Sequence, residues 1–427
     1  MTKTLLLLSA LLIIGGSPLC RADLPIVTVL HSFSSTQNDT NNRYRKLNVD
    51  GDAPSIPLLQ GRDGLLYGGT QTGGINGLGT LCRINPNGTG FTVLHTFSAP
   101  HPSSKRTINT DGESAVGALV QDSQGTLYGA AEYGGANDSG TLFKMNPDGN
   151  NFVVLHTFDE PGDHGVNSGG SVPTGLALGA DGLLYGAARH GGKNGQGVLY
   201  SVETTGQNFR ILHTFSADVP EFYNSDGASP TAALVTKNGT VFYGTTMLGN
   251  PDHTGVIYCF QSGGKDFRVL HNFEHQERFM GVSVLGALAV GPDGSVYGNT
   301  QNEGSTDGGV VFKLSPDGKV FTVVHSFPET KVNTEGGTLP VGPLVFGPDG
   351  RLYGLTGYRG ASEMGTLFKV TTEGAKYYSL HDFSRAEGGH FITGLTRGRD
   401  GNLYGVSPDG GANGAGTIFR VTFPAAK

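Results

Sequence analysis

The sequence predicts an all-β fold, a seven-bladed β-propeller with four antiparallel strands per blade, and three observations predict it. The phrase Leu-His-x-Phe recurs seven times, at His31, His95, His156, His213, His271, His325 and His381, with Val324 replacing Leu in the sixth. The phrase hydrophobic-Tyr-Gly recurs seven times as well, at Tyr67, Tyr128, Tyr185, Tyr243, Tyr297, Tyr353 and Tyr404, at intervals of about 51 to 61 residues, the range of propeller blades. The two phrases alternate, yet the chain opens on an orphan Leu-His-x-Phe and closes on a repeat that lacks one. A ring whose last blade borrows its fourth strand from the start of the chain produces that offset and removes two open sheet edges.

Each element follows from one repeat. In the third, Gly175-Leu176-Ala177-Leu178 is a short apolar strand and Asp181-Gly182 a tight hairpin, because Gly tolerates positive φ. Leu184-Tyr185-Gly186-Ala187-Ala188 is the second strand, Gly191-Gly192 and Gly195 mark a longer loop, and Gly197 to Val202 is the third strand. Gly206 turns the chain into Phe209 to Phe215, where alternation places Phe209, Ile211, His213 and Phe215 on one face. Four such strands make a blade. Ile26 to Phe33 supplies the strand missing after Gly416-Thr417-Ile418-Phe419.

Composition narrows the function. A chain of 427 residues exceeds what one hydrophobic core serves well, so it repeats. A net charge of −7 with 15% charged residues disfavours a phosphate-tracking nucleic-acid binder. Residues 1–22 read as a signal peptide: Lys3, an apolar run from Leu5 to Ile14, and small residues before a cut after Ala22. The run is too short to span a membrane. The expected destination is secreted or periplasmic, with a lipid anchor on Cys20 disfavoured by bulky Leu19. Residues 23–427 form one propeller domain, expected to be a monomer. Cys82 and Cys259 sit on distant blades and are expected to be buried thiols.

Phrases such as Asp63-Gly64-Leu65-Leu66-Tyr67-Gly68, Gly79-Thr80-Leu81 and Leu94-His95-Thr96-Phe97 resemble the GloVer tandem-repeat family of secreted bacterial proteins. The resemblance covers nearly all of the mature chain and implies the propeller. It brings no catalytic motif with it.

The seven histidines and seven tyrosines occupy equivalent places, so each is read as structural: the histidine bonded to a neighbouring backbone group or hydroxyl, the tyrosine packed between blades with its hydroxyl on a partner. Function is expected where repeats disagree. The Asp-Gly turns fall on one face of the disc, and the inter-blade connections and Gly-Gly loops on the other, the face where long loops favour binding. Just before the Gly-Gly loops the residues vary: Gln71-Thr72, Glu132-Tyr133, Arg189-His190, Met247-Leu248, Gln301-Asn302, Gly357-Tyr358 and Pro408-Asp409. Glu132, Tyr133, Arg189 and His190 therefore lie on adjacent blades, with Tyr358 and Arg359 across the ring.

The favoured reading is an exported propeller that binds a glycan through Glu132, Tyr358, Arg359, Gln71 and Asn302. The alternative is a lyase or hydrolase of acidic polysaccharide. There His190 and Tyr133 transfer protons and Arg189 clamps a uronate carboxylate, the logic of β-elimination. A third reading is an envelope protein-interaction scaffold. The connections Asn48-Val49-Asp50-Gly51, Asn109-Thr110-Asp111-Gly112, Asn167-Ser168-Gly169-Gly170, Asn224-Ser225-Asp226-Gly227 and Asn333-Thr334-Glu335-Gly336 carry oxygen ligands suited to Ca²⁺. The simpler expectation is that Asn and Asp fold back on their own backbone to start the next strand. No resident metal or cofactor is assigned. Basic residues Arg43, Arg45, Lys46, Lys105 and Arg106 in two inserted loops suit an anionic partner or plain solvent.

Overall fold

The computed structural model describes residues 24–40, 42, 45–101, 108–162, 165–217, 224–249, 254–273, 288–301, 308–328, 336–374 and 376–424. Residues 1–22, expected to be a signal peptide, lie outside these residues, as do Arg43, Tyr44, Lys105, Arg106, Asn302 and Asn333-Thr334-Glu335.

Seven sheets of antiparallel strands make the ring. Blade 2 shows the plan. Its inner strand is Glu113–Gln121, followed outward by Leu127–Tyr133, Thr141–Met145 and Val153–Thr157. In blades 1 and 4 the inner strand is broken into two short pieces that both pair with the second strand. The seventh blade is closed as the sequence predicts. Strand Ile26–Ser32 pairs antiparallel with Thr417–Thr422, from Ile26 opposite Thr422 to Ser32 opposite Thr417.

The core is distributed, not central. Each blade packs its apolar side chains against the next, giving one cluster per interface. The cluster that joins last blade to first combines Phe33, Tyr404, Val406 and Ile418 with Leu58, Leu66, Cys82 and Ile84. Deleting one of these aromatic anchors would cost about 3–5 kcal/mol. Near the axis the inner strands touch: a Cβ on Gly117 would lie 2.7 Å from Gly175 Cα and 2.9 Å from the Thr174 carbonyl. Only glycine permits that approach.

Four of the seven histidines bond a carboxylate in place of the expected backbone group or hydroxyl. His31 Nε2 donates to Asp50 Oδ2 at 3.1 Å, His95 to Asp111 at 2.9 Å and His213 to Asp226 at 2.8 Å. His381 reaches Glu387 at 3.1 Å. Each carboxylate lies in the connection leading to the next blade, and also accepts the backbone N–H that follows the Phe, as Asp50 accepts from Ser34. Three of these imidazoles also stack on an aromatic of that next blade: His31 on Phe91 and His95 on Phe152, both at 3.7 Å, and His213 on Phe267 at 3.8 Å. The Leu-His-x-Phe phrase is thus one half of an inter-blade latch, and the acidic residue of Asn-x-Asp-Gly the other half. A charged acceptor outcompetes a neutral carbonyl for an N–H, which is why the imidazole turns to the Asp and not to a backbone carbonyl.

The Asn behaves as the simpler expectation held. Asn48 Oδ1 accepts the N–H groups of Gly51 and Gly74, and its amide donates to the Ser34 and Gly51 carbonyls. Gly51 is obligatory: its φ is +113°, and a Cβ there would lie 2.4 Å from Thr70 Oγ1.

Five of the seven tyrosines also find carboxylates. Tyr67 donates to Asp63 at 2.6 Å, Tyr185 to Asp181 at 2.6 Å and Tyr404 to Asp400 at 2.7 Å. These pairs pin each tight Asp-Gly turn to the second strand of its own blade. Cys82 and Cys259 are buried free thiols.

Candidate functional site

The long-loop face is set by the second strand of each blade. The strand runs buried through Tyr-Gly and two small residues, then emerges. In blade 2, Ala130 and Ala131 are buried, Glu132 is partly buried and Tyr133 is 41% exposed. In blade 3 the same heights carry partly buried Arg189 and exposed His190. Leu248 and Tyr358 emerge equivalently on blades 4 and 6, at 39% and 51% exposure. Buried residues hold the strand and the last one or two face solvent, so these positions vary without cost to the core.

Two of the expected residues meet across the seam between blades 2 and 3. Arg189 Nη1 donates to Glu132 Oε1 at 3.2 Å. The guanidinium is not fully used: its Nε is buried and has no hydrogen-bond partner among the described residues. The Ser171 hydroxyl, across the strand pair from His190, is also buried and unpartnered. Burial without a partner costs about 1–3 kcal/mol per group. Two such groups in one corner are uncommon in a native protein.

The electrostatics separate the two titratable groups. Burial pushes the Tyr133 phenol up, and the Glu132 charge adds to the effect against the opposing Arg189. Partial burial, with the Arg189 charge, lowers the His190 imidazole. At neutral pH Tyr133 is therefore a proton donor and His190 a neutral acceptor.

The remaining expected residues do not join this corner. Gln71 lies on blade 1, where its carbonyl accepts from Ser114 Oγ at 3.0 Å. Arg359 pairs with Glu363 at 3.3 Å on blade 6. Tyr358 lies beside His390, ring centroids 5.4 Å apart, and His390 Nδ1 bonds Asp409 Oδ2 at 3.0 Å. His390 is not among the histidines that the repeats single out. The available signal was that it falls outside the Leu-His-x-Phe phrase. Glu387 escaped because its connection, Arg385-Ala386-Glu387-Gly388, lacks the Asn.

The carboxylates considered for Ca²⁺ direct their oxygens to the latch histidines and backbone N–H groups. Among the described residues, no three His, Cys, Asp or Glu side chains converge as a metal site. Arg45 of the basic insertion pairs with Asp39 at 3.6 Å, and Lys46 lies 3.9 Å from Asp52. Among the described residues no helix is long and apolar enough to cross a membrane.

The family model described as the Gloeobacter/Verrucomicrobia repeat matches residues 28–172, 163–340 and 287–427. Comparison with curated proteins gives no match. Among solved structures, an oligogalacturonate lyase from Vibrio parahaemolyticus is similar at a TM-score of 0.53 and 13% identity, over 94% of this chain and 98% of that one. A puromycin-hydrolyzing peptidase from Mycobacterium tuberculosis is similar at 0.54 and 13%, over 88% of this chain and 52% of that one. An extracellular domain assigned to a one-component system of B. thetaiotaomicron is similar at 0.52 and 13% over 91% of this chain, which spans 40% of its length. At these identities the likeness is one of fold alone.

Proposed function

The chain belongs to the Gloeobacter/Verrucomicrobia repeat family, and from that premise we propose that it is an exported propeller that binds an acidic glycan on its long-loop face, at the seam of blades 2 and 3. One observation carries the reading: Arg189 spends one nitrogen on Glu132 and leaves its Nε unpaired beside exposed Tyr133 and His190. A uronate carboxylate supplies the missing acceptor when the guanidinium turns from Glu132 to the ligand, a bidentate pairing suited to Arg. Tyr133 offers a ring for the sugar face and a hydroxyl for its edge. The test is calorimetric titration with hexagalacturonate. Arg189→Ala should weaken binding at least tenfold, and Glu132→Gln, which releases the guanidinium, should tighten it. Equal affinity in all three proteins would sink the site.

A second reading rests on the opposed shifts of Tyr133 and His190. With the carboxylate held by Arg189, neutral His190 takes the α-proton and Tyr133 protonates the departing oxygen: one C–H and one C–O bond break, and a C=C bond forms. Ultraviolet absorbance of the unsaturated product, present in the native protein and absent in a His190→Ala/Tyr133→Phe variant, is the expected result. Absorbance that persists in the variant removes the assignment.

A further inference from the structure

Across the ring, the seam of blades 6 and 7 carries a different chemistry. His390 follows the bridge residue Gly389 and precedes the inner strand of blade 7, Thr396–Arg397, with φ +48°. The same left-handed conformation recurs at Ala53, Ser114, Val172, Ser229 and Leu339, each at the equivalent place. In every case the N–H donates to a carbonyl of the preceding blade; for His390 the acceptor is Met364 at 3.1 Å. A left-handed conformation costs a non-glycine residue about 1–2 kcal/mol, and the ring accepts that cost to cross-link its blades. Of these six positions, blade 7 alone places a titratable side chain there.

Its partner is exceptional too. Asp409 occupies the position of Thr72, Tyr133, His190, Leu248 and Tyr358, and no other described blade carries a carboxylate there. Gly389 and Asp409 face each other across an isolated bridge. Asp409 Oδ2 accepts from His390 Nδ1 at 3.0 Å, and its Oδ1 accepts from the Gly410 N–H at 2.6 Å. That bond fixes the imidazole ring and leaves Nε2 without a hydrogen-bond partner among the described residues. Both side chains are 40% exposed. The Tyr358 ring stands 5.4 Å from the imidazole, tilted by 47°, and is itself 51% exposed.

We propose that Tyr358, His390 and Asp409 form a second sugar subsite, one that takes a neutral pyranose. The proposal rests on the long-loop face being the glycan surface and adds a site of opposite preference. The phenol ring covers the C–H face of the sugar, and Nε2 and the outer edge of the Asp409 carboxylate take adjacent hydroxyls. The Asp409 charge repels a uronate, whereas Arg189 attracts one, so a polymer that mixes uronate and neutral residues suits the face as a whole.

The experiment titrates the full chain with two probes, a β-1,4-galactohexaose and hexagalacturonate. Tyr358→Ala and Asp409→Asn are each expected to weaken the neutral probe at least tenfold and to leave the acidic probe unchanged. Arg189→Ala is expected to do the reverse. Tyr358 is an exposed rim residue, so its variant keeps the fold even if substitution of His390 does not. A neutral probe that binds Tyr358→Ala and Asp409→Asn as tightly as the native protein overturns the subsite. So does a native protein that takes hexagalacturonate alone, and in that case the reading of the blade 2–3 seam survives. A native protein that takes neither probe overturns both.

Discussion

Tyr200 and Tyr258 bury their hydroxyls without a hydrogen-bond partner, whereas Tyr67 spends its own on Asp63. Phe143, Phe312, Phe368 and Phe419 fill the corresponding third-strand position in other blades, so the hydroxyl does nothing that packing requires. Tyr200→Phe should therefore raise the unfolding free energy by about 1 kcal/mol, the desolvation it no longer suffers. Tyr67→Phe should lower it by about 1–2 kcal/mol, since a charge-assisted bond is lost. Urea midpoints at neutral pH compare the two, and a loss in Tyr200→Phe would contradict the packing described.

Blade 3 shows what the latch is worth, because there it is incomplete. Gly169 stands where other connections carry the carboxylate, and Asp159 stands where they carry Ser. His156 Nε2 is accordingly buried and unpaired, and burial lowers the imidazole. An Asp159→Ser/Gly169→Asp variant rebuilds the latch and should gain about 1.5–3 kcal/mol, the value of a hydrogen bond to a charged group. Differential scanning calorimetry reads the gain; a lower melting temperature would show that the acceptor does not reach His156.

The pH dependence follows from the same elements. Burial brings His325 down to about 4 and also lowers His271 and His156. The unfolded chain therefore binds protons first, near pH 6.5. The stability these groups allow is complete above that pH and is lost as pH falls toward 4, at about 1.4 kcal/mol per unit for each group. For Asp111 and Asp226, burial opposes ionisation, but bonds from histidine and serine prevail and hold them low. Their contribution is complete above the ordinary carboxylate range and is lost only as pH falls through their lower folded values. Stability curves should decline from pH 6.5 downward, and His325→Asn should flatten that decline; an unchanged slope would place the sensitivity elsewhere.

The blades, their turns and the closing strand were legible because each rests on local periodicity: Asp-Gly at the hairpins, alternation in the fourth strand, the displaced Leu-His-x-Phe. The latch was half legible. His95 and Asp111 were both singled out, but nothing along the chain says that one points at the other across a connection. The Glu132–Arg189 meeting followed from counting equivalent positions. His390 and Asp409 did not, because their pairing depends on a left-handed backbone that no residue at that place announces.

At the scale of the whole molecule, closure is the weak point and can be tested. Strand Ile26–Ser32 covers the edge of Thr417–Thr422, and Phe33 fills the last interface completely. A variant beginning at Ser34 leaves that edge bare and a cavity behind it. Exposed edges invite pairing between chains, so light scattering should show self-association, with a melting temperature well below that of the full ring. A monomeric variant of unchanged melting temperature would mean that the first strand is dispensable.

Ile26 meets Thr422 about four hundred residues along the chain. Bringing such distant segments together costs about 3 kcal/mol more loop entropy than joining strands a dozen residues apart, since the cost grows as the logarithm of the separation. The first strand made is thus the last to find its place. It must wait, unpaired and half apolar, until nearly the entire polypeptide has been synthesised. Protection of its amides from hydrogen exchange should appear only in the slowest refolding phase.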